Sequence, residues 1–145
     1  MPRVFHSAHL KPEAEAVWQV LRDFGGLHCW LPGIAMCELE GGLQRDQVGA
    51  IRRIVARDGQ QFREQLVTLS DYEMLIGYSI MDSPLPISAH FAEIRVIPIT
   101  EGGGSFVGWS AEFSAPEAEV AGICQWMIND VFRPGLSGLA QMVAP

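Results

Sequence analysis

Apolar and polar positions recur along this chain with two different periods, and the places where the period changes divide it into three parts. The first begins with Arg3 to Leu10, a short run containing Val, Phe and Leu that reads as a strand. Pro12, Glu13 and Glu15 then precede Ala14, Val17, Trp18 and Leu21 at i, i+3, i+4 and i+7 spacing. This predicts an amphipathic helix over about 12–23, with Pro12 in its first position and the glutamates at the positive end of its dipole. Gly25-Gly26 stops it, and Leu27 to Leu31 have room for about one more turn before Pro32, so a short second helix is expected.

From Ile34 the period falls to two. Strands are predicted near 34–40, 48–57, 60–70, 73–81, 87–99 and 105–114, as an antiparallel meander. The breaks are Glu40-Gly41-Gly42, Asp58-Gly59, Ser70-Asp71, Ser83 to Pro86 and Glu101 to Gly104, all rich in residues that tolerate turn geometry. Gly102 to Gly104 is read as a hairpin turn, because no lysine and no helix follow it as a phosphate loop requires. After Pro116 the period returns to 3.6. Val120, Ile123, Cys124, Met127, Ile128 and Val131 make one apolar face of a long closing helix, kinked or interrupted at Pro134-Gly135 and resuming at Leu136 and Leu139. From about 117 to 143 it would span about 40 Å, enough to cross a whole sheet.

Side chains alternate across a strand, so the apolar set marks the inward face. That set is Met74, Ile76, Tyr78 and Ile80 on the fifth strand, His90, Ala92, Ile94 and Val96 on the sixth, and Val107, Trp109, Ala111 and Phe113 on the seventh. On the fourth strand Phe62, Glu64 and Leu66 share a face, which sends Glu64 inward. An inward carboxylate requires a partner or a raised pKa. A two-residue loop at Asp58-Gly59 pairs Glu64 with Arg53; a three-residue loop from Arg57 to Gly59, with Gly59 left-handed, pairs it with Arg52. The pair reads either as the polar anchor of a pocket or as a cross-strand salt bridge that satisfies the sheet.

Composition narrows the class. With 145 residues, 48% hydrophobic and 19% charged, the chain is expected to be a single soluble domain over 1–145 with a sizeable core. No apolar run reaches the 18 or more residues of a membrane span, and the first ten residues lack signal-peptide character, so cytoplasmic residence is the default expectation. A net charge of -7 without a basic stripe opposes nucleic-acid binding. Cys29, Cys37 and Cys124 are odd in number and set among apolar neighbours, which fits reduced thiols rather than disulfides. His6, His9, His28 and His90 form no ligand motif, so neither metal nor cofactor is expected. His28-Cys29 is not expected to act as a nucleophile and base, since neighbours on a short helix point apart.

At the level of residues the chain resembles the polyketide cyclase/dehydrase branch of the START-like (Bet v 1-like) superfamily. The matching positions are Val17-Trp18 with Asp23-Phe24, Trp30 with Pro32, Gly49 with Arg52, Glu64 with Leu66, Tyr78, Pro84-Leu85-Pro86, and Trp109 with Phe113, which together span most of the chain. The resemblance implies an α+β helix-grip fold: a curved seven-stranded antiparallel sheet around a long C-terminal helix, with two short helices after the first strand and a hydrophobic ligand between them. It places an arginine three residues after Gly49, favouring Arg52 as the partner of Glu64, in the register that also aligns Ile54 with Phe62. The chain departs from the family pattern at Ala89 and His90, where an asparagine and a tyrosine are expected.

The expected pocket therefore takes its polar groups from Arg52, Glu64, Tyr78 and His90, and its apolar wall from Phe24, Trp30, Trp109, Phe113 and Met127. His90 is weighed against a satisfied core histidine, and Phe24 to Pro32 is expected to close the open side of the sheet, with Gly25-Gly26 as hinge. A binder of a hydrophobic or aromatic small molecule is the first functional expectation. A cyclase or dehydratase moving protons in the same cavity is the second. A protein-interaction domain using an exposed apolar face of the last helix is the third.

Overall fold

The computed structural model describes residues 1–143, and in it the meander closes into one antiparallel sheet of order β1-β7-β6-β5-β4-β3-β2. The strands are β1 (Arg3–Leu10), β2 (Ile34–Leu39), β3 (Ile51–Ala56), β4 (Gln61–Ser70), β5 (Leu75–Asp82), β6 (Ser88–Pro98) and β7 (Ser105–Ser114). Of the inward faces expected on β5, β6 and β7, Ile76 and Tyr78, His90 to Val96 and Val107 to Phe113 are buried at alternate positions, Ile80 is partly buried, and Met74, also partly buried, lies just before β5; the final helix packs on this face. This is the α+β helix-grip architecture.

Between β1 and β2 the helices depart in detail from the sequence reading. Helix α1 runs Ala14–Leu21, so Pro12 lies outside it and Glu13 is its N-cap in extended conformation. The reason is tertiary. The Pro12 carbonyl accepts from Ser105 Oγ at 3.0 Å, and Glu13 Oε1 accepts from the Gly104 N–H at 3.2 Å, which ties both residues to the start of β7. Gly25-Gly26 does not separate two helices but sits inside a 3₁₀ segment, Phe24–Cys29. A Cβ on Gly25 would stand 3.2 Å from Leu39 Cγ, so the glycine admits close packing on β2.

The closing helix is continuous in three pieces: α2 (Glu117–Trp126), a π-helical turn (Met127–Phe132) and α3 (Arg133–Met142). The irregularity thus precedes Pro134 instead of falling on it. Proline has no N–H to give to the carbonyl four residues back, and its ring crowds that carbonyl. The chain widens to a wider hydrogen-bond span instead, with the Arg133 N–H donating to Ile128 O. The apolar face of this helix is turned to the sheet, with Ile123, Met127, Phe132, Leu136 and Leu139 buried. Val120, Cys124, Ile128 and Val131 on the same helix are partly buried. No helix of the described residues is long and apolar enough to cross a membrane.

The pairing of β6 shifts between Ser88 and Phe91, and Ala89 sits in the shift with φ 50°. A β-bulge re-aims the side chain that follows it, here His90, into the interior. Left-handed backbone costs an alanine about 1–2 kcal/mol, whereas asparagine tolerates it. Ala89→Asn, the residue the family resemblance places here, is expected to raise the melting temperature by about 3 °C, read by differential scanning calorimetry. A lower melting temperature would show that the bulge is not strained.

Candidate functional site

Beneath the final helix, at the β3–β4 end of the sheet, lies an apolar cavity of about 60 Å³. Its wall is made by Leu27, Leu31 and Ile34 from the first half of the chain, Ile54, Phe62 and Ile80 from the sheet, and Trp126, Met127, Val131 and Phe132 from the end of α2 and the π turn. Glu64, Tyr78 and His90 supply its polar groups.

Glu64 owes its place to the hairpin. The loop has three residues, Gly59 has φ 90°, and the register sets Arg52 opposite Glu64 and Ile54 opposite Phe62. Arg53 is sent to the outer face, where it meets Glu38 at 3.4 Å. Arg52 and Glu64 are 5% and 8% exposed, so this is a buried ion pair. Arg52 Nε and Nη2 both donate to Glu64 Oε1, at 2.9 and 2.6 Å, and Nη1 donates to the Phe24 carbonyl at 3.1 Å. The guanidinium carbon lies 4.0 Å from the centroid of the Phe24 ring and 5.0 Å from that of Tyr78. Arg52 is held on every side. Oε2 of Glu64, in contrast, accepts from no described residue and keeps accessible surface at the cavity.

Tyr78 and His90 complete the polar end. The Trp109 indole N–H donates to the Tyr78 hydroxyl oxygen at 3.0 Å, leaving the hydroxyl proton uncommitted. Burial, with the Glu64 charge adding to it, pushes the Tyr78 pKa up. His90 Nδ1 accepts the Ile80 N–H at 2.9 Å, closing a backbone bond that the bulge would otherwise leave open. An acceptor at Nδ1 puts the proton of the neutral ring on Nε2, which has no described partner and stays accessible at the cavity. Burial lowers the His90 pKa to about 4. The cavity therefore presents the Glu64 carboxylate as acceptor and the His90 Nε2–H as donor, while the Tyr78 hydroxyl sits against the Trp109 indole, and neither His90 nor Tyr78 changes charge near neutrality.

Of the residues expected to line the pocket, Glu64, Tyr78, His90 and Met127 do so. Arg52 stands behind Glu64, and Phe24 supports Arg52 with its ring and carbonyl. Trp109 packs on Phe132, a cavity residue, at 4.7 Å and on Trp30 at 5.7 Å, but Trp30, Trp109 and Phe113 are themselves buried in a solid half of the core and do not line the cavity. The tryptophan at the cavity is Trp126, stacked on Phe62 at 5.8 Å and 13°. Its spacing of three residues from Ile123 on the closing helix was the one signal that could have selected it. His28 Nε2 and Cys29 Sγ come within 3.7 Å, contrary to the expectation for neighbours, because both side chains are exposed and free to fold together. Cys37 is buried, and burial pushes its thiol pKa up. Among the described residues no group of three or more His, Cys, Asp or Glu is gathered as a metal site would need.

The family model described as polyketide cyclase / dehydrase and lipid transport matches residues 1–144. Among solved structures, the XoxI protein of Bacillus cereus is 30% identical, with a TM-score of 0.84 over 97% of this chain and 94% of that one. A Thermobifida fusca protein solved in solution is 29% identical, with a TM-score of 0.85 over 99% and 93%. Norcoclaurine synthase from Thalictrum flavum, in complex with dopamine and hydroxybenzaldehyde, is 18% identical, with a TM-score of 0.72 over 98% and 83%, a likeness of fold.

Proposed function

The chain belongs to the polyketide cyclase/dehydrase and lipid transport family, and we propose that it is a binding protein for a neutral aromatic small molecule carrying a hydroxyl group. The observation that carries this reading is the polar end of the cavity. A ligand hydroxyl donates one hydrogen bond and accepts another, which matches the free Oε2 of Glu64 and the Nε2–H of His90 in the lining of one cavity. Apolar burial supplies most of the affinity and these two groups set the orientation. Binding is favoured over proton transfer because His90, at about 4, is a weak base and Tyr78, with its raised pKa, a weak acid.

Native mass spectrometry of the purified protein is expected to detect a co-purifying lipophilic molecule. In solution 2-naphthol is expected to bind more tightly than 2-methoxynaphthalene, which keeps the acceptor oxygen and loses the donor proton. The ratio should be about tenfold, the value of one hydrogen bond to a charged acceptor. Glu64→Gln puts an amide oxygen on Arg52 and a donor where Oε2 was, so the preference for 2-naphthol should disappear while the melting temperature changes less. An empty protein that binds neither compound would overturn the reading, as would a variant that loses stability and keeps its selectivity.

A further inference from the structure

The cavity is too small for the molecule it is proposed to hold. An apolar cavity of about 150 Å³ is what accommodates a single benzene ring, and this one measures about 60 Å³. The missing volume lies next to it. On the other side of Trp126 and Phe62 is a groove of about 180 Å³, opening between the π turn, the segment before β2 and the β3–β4 hairpin. Leu31, Ile34, Phe62, Trp126 and Val131 line both spaces, so the two are chambers separated by a shared wall.

The wall is built to yield at Trp126. The residue is only partly buried, and it is the last of α2, where the backbone passes into the π turn. Its ring is held by the stack on Phe62 and has no described hydrogen-bond partner, unlike those of Trp18 and Trp109. The other side of the wall is pinned: Arg57 Nε donates to the Pro32 carbonyl at 2.7 Å and the Arg57 N–H to Gly33 O at 2.9 Å. A turn already widened by Pro134 is the part of the helix whose hydrogen bonds cost least to rearrange. Gly25-Gly26, packed on Leu39 and Asp23, is not that part.

Resting on the binding reading above, we propose that the two chambers form one elongated ligand site, and that Trp126 is the movable partition between them. The ligand's hydroxyl end occupies the inner chamber at Glu64, and its apolar body of two or more rings extends past Phe62 into the outer groove. The groove's polar groups are Asp58, Gln60 and Asp130, which suits a neutral body and disfavours an acid.

Stopped-flow fluorescence with 2-naphthol and the longer 4-phenylphenol tests this. Trp126→Ala is expected to raise the association rate for both at least tenfold, and to strengthen 4-phenylphenol relative to phenol. In the unaltered protein, hydrogen exchange of the amides from 127 to 132 is expected to slow on saturation with 4-phenylphenol. The exchange measurement stands even if Trp126→Ala fails to fold, and Trp126→Phe, which preserves a stack, should give a smaller rise in rate. Equal association rates in a folded variant, or exchange at 127–132 indifferent to ligand, would overturn the partition while leaving ligand binding intact. Failure of all three phenols to bind either protein would overturn the binding reading itself.

Discussion

Arg52→Met is expected to lower the unfolding free energy by about 3–5 kcal/mol, because it strands the Glu64 carboxylate in an apolar surrounding. The guanidinium makes two bonds to Oε1 and one to the Phe24 carbonyl, and it lies between two aromatic rings, so a thioether restores none of its polar contacts. Urea denaturation followed by circular dichroism gives the value. The double variant Arg52→Met/Glu64→Leu separates the worth of the pair from the cost of orphaning one member. Two apolar side chains of similar volume often match or exceed a buried ion pair, so the double variant should recover most of the loss. Stability regained without affinity for 2-naphthol would show the pair to be retained for the site and not for the fold. A single variant within about 1 kcal/mol of the parent would mean that Glu64 reaches water.

Two glycines of the closing helix are expected to respond to alanine with opposite signs. Gly122 in α2 has open space around its Cα, so Gly122→Ala should gain about 1 kcal/mol from helix propensity alone. A Cβ at Gly138 in α3 would run into the Trp30 carbonyl oxygen, and Pro32 Cδ would stand 3.2 Å from it. Backbone gives way less readily than a side chain. Gly138→Ala should therefore cost about 3 kcal/mol despite the same propensity gain, as α3 is pushed off the segment that closes the sheet. Melting temperatures of the two variants decide it. A stabilised Gly138→Ala would mean that α3 and the Trp30 segment are not in contact in solution.

Much of the frame was legible because alternation is a direct record of which face meets the core. Ile76 and Tyr78, Ala92 and Ile94, and Trp109 and Phe113 were assigned inward by this rule, and each is buried. Loop length alone leaves Arg52 and Arg53 both open as partners of Glu64; the resemblance and the alignment of Ile54 with Phe62 favour Arg52, and the structure has that register, with Gly59 left-handed. What alternation does not record is whether an inward side chain meets another side chain or a void. Trp30, Trp109 and Phe113 were expected at the cavity on apolarity and resemblance, yet they fill the solid half of the core. Trp126 carries no such mark, because helical periodicity does not record the space beyond a side chain. The π turn was hidden for a related reason: Pro134 announces a disturbance, while the direction in which the backbone relaxes is set by packing on the sheet. Gly25 was read for its freedom and is used for its smallness, a distinction visible once Leu39 is seen against it.

The order of the sheet has a bearing on how this protein behaves when crowded. A sheet that runs from β1 to β2 without closing leaves two outer strands, each a row of backbone donors and acceptors that another chain could extend into a fibril. Here β1 is flanked by α3 and the π turn, and β2 by the 3₁₀ segment, while the pairing shift between Ile34 and Met36 spoils the regularity of the second border. Two segments that line the cavity, the π turn and the 3₁₀ segment, thus also lie against the sheet's outer strands. Loosening them to admit a larger guest would expose those margins to self-association, a cost of enlarging the site that would be felt in solubility before it was felt in affinity.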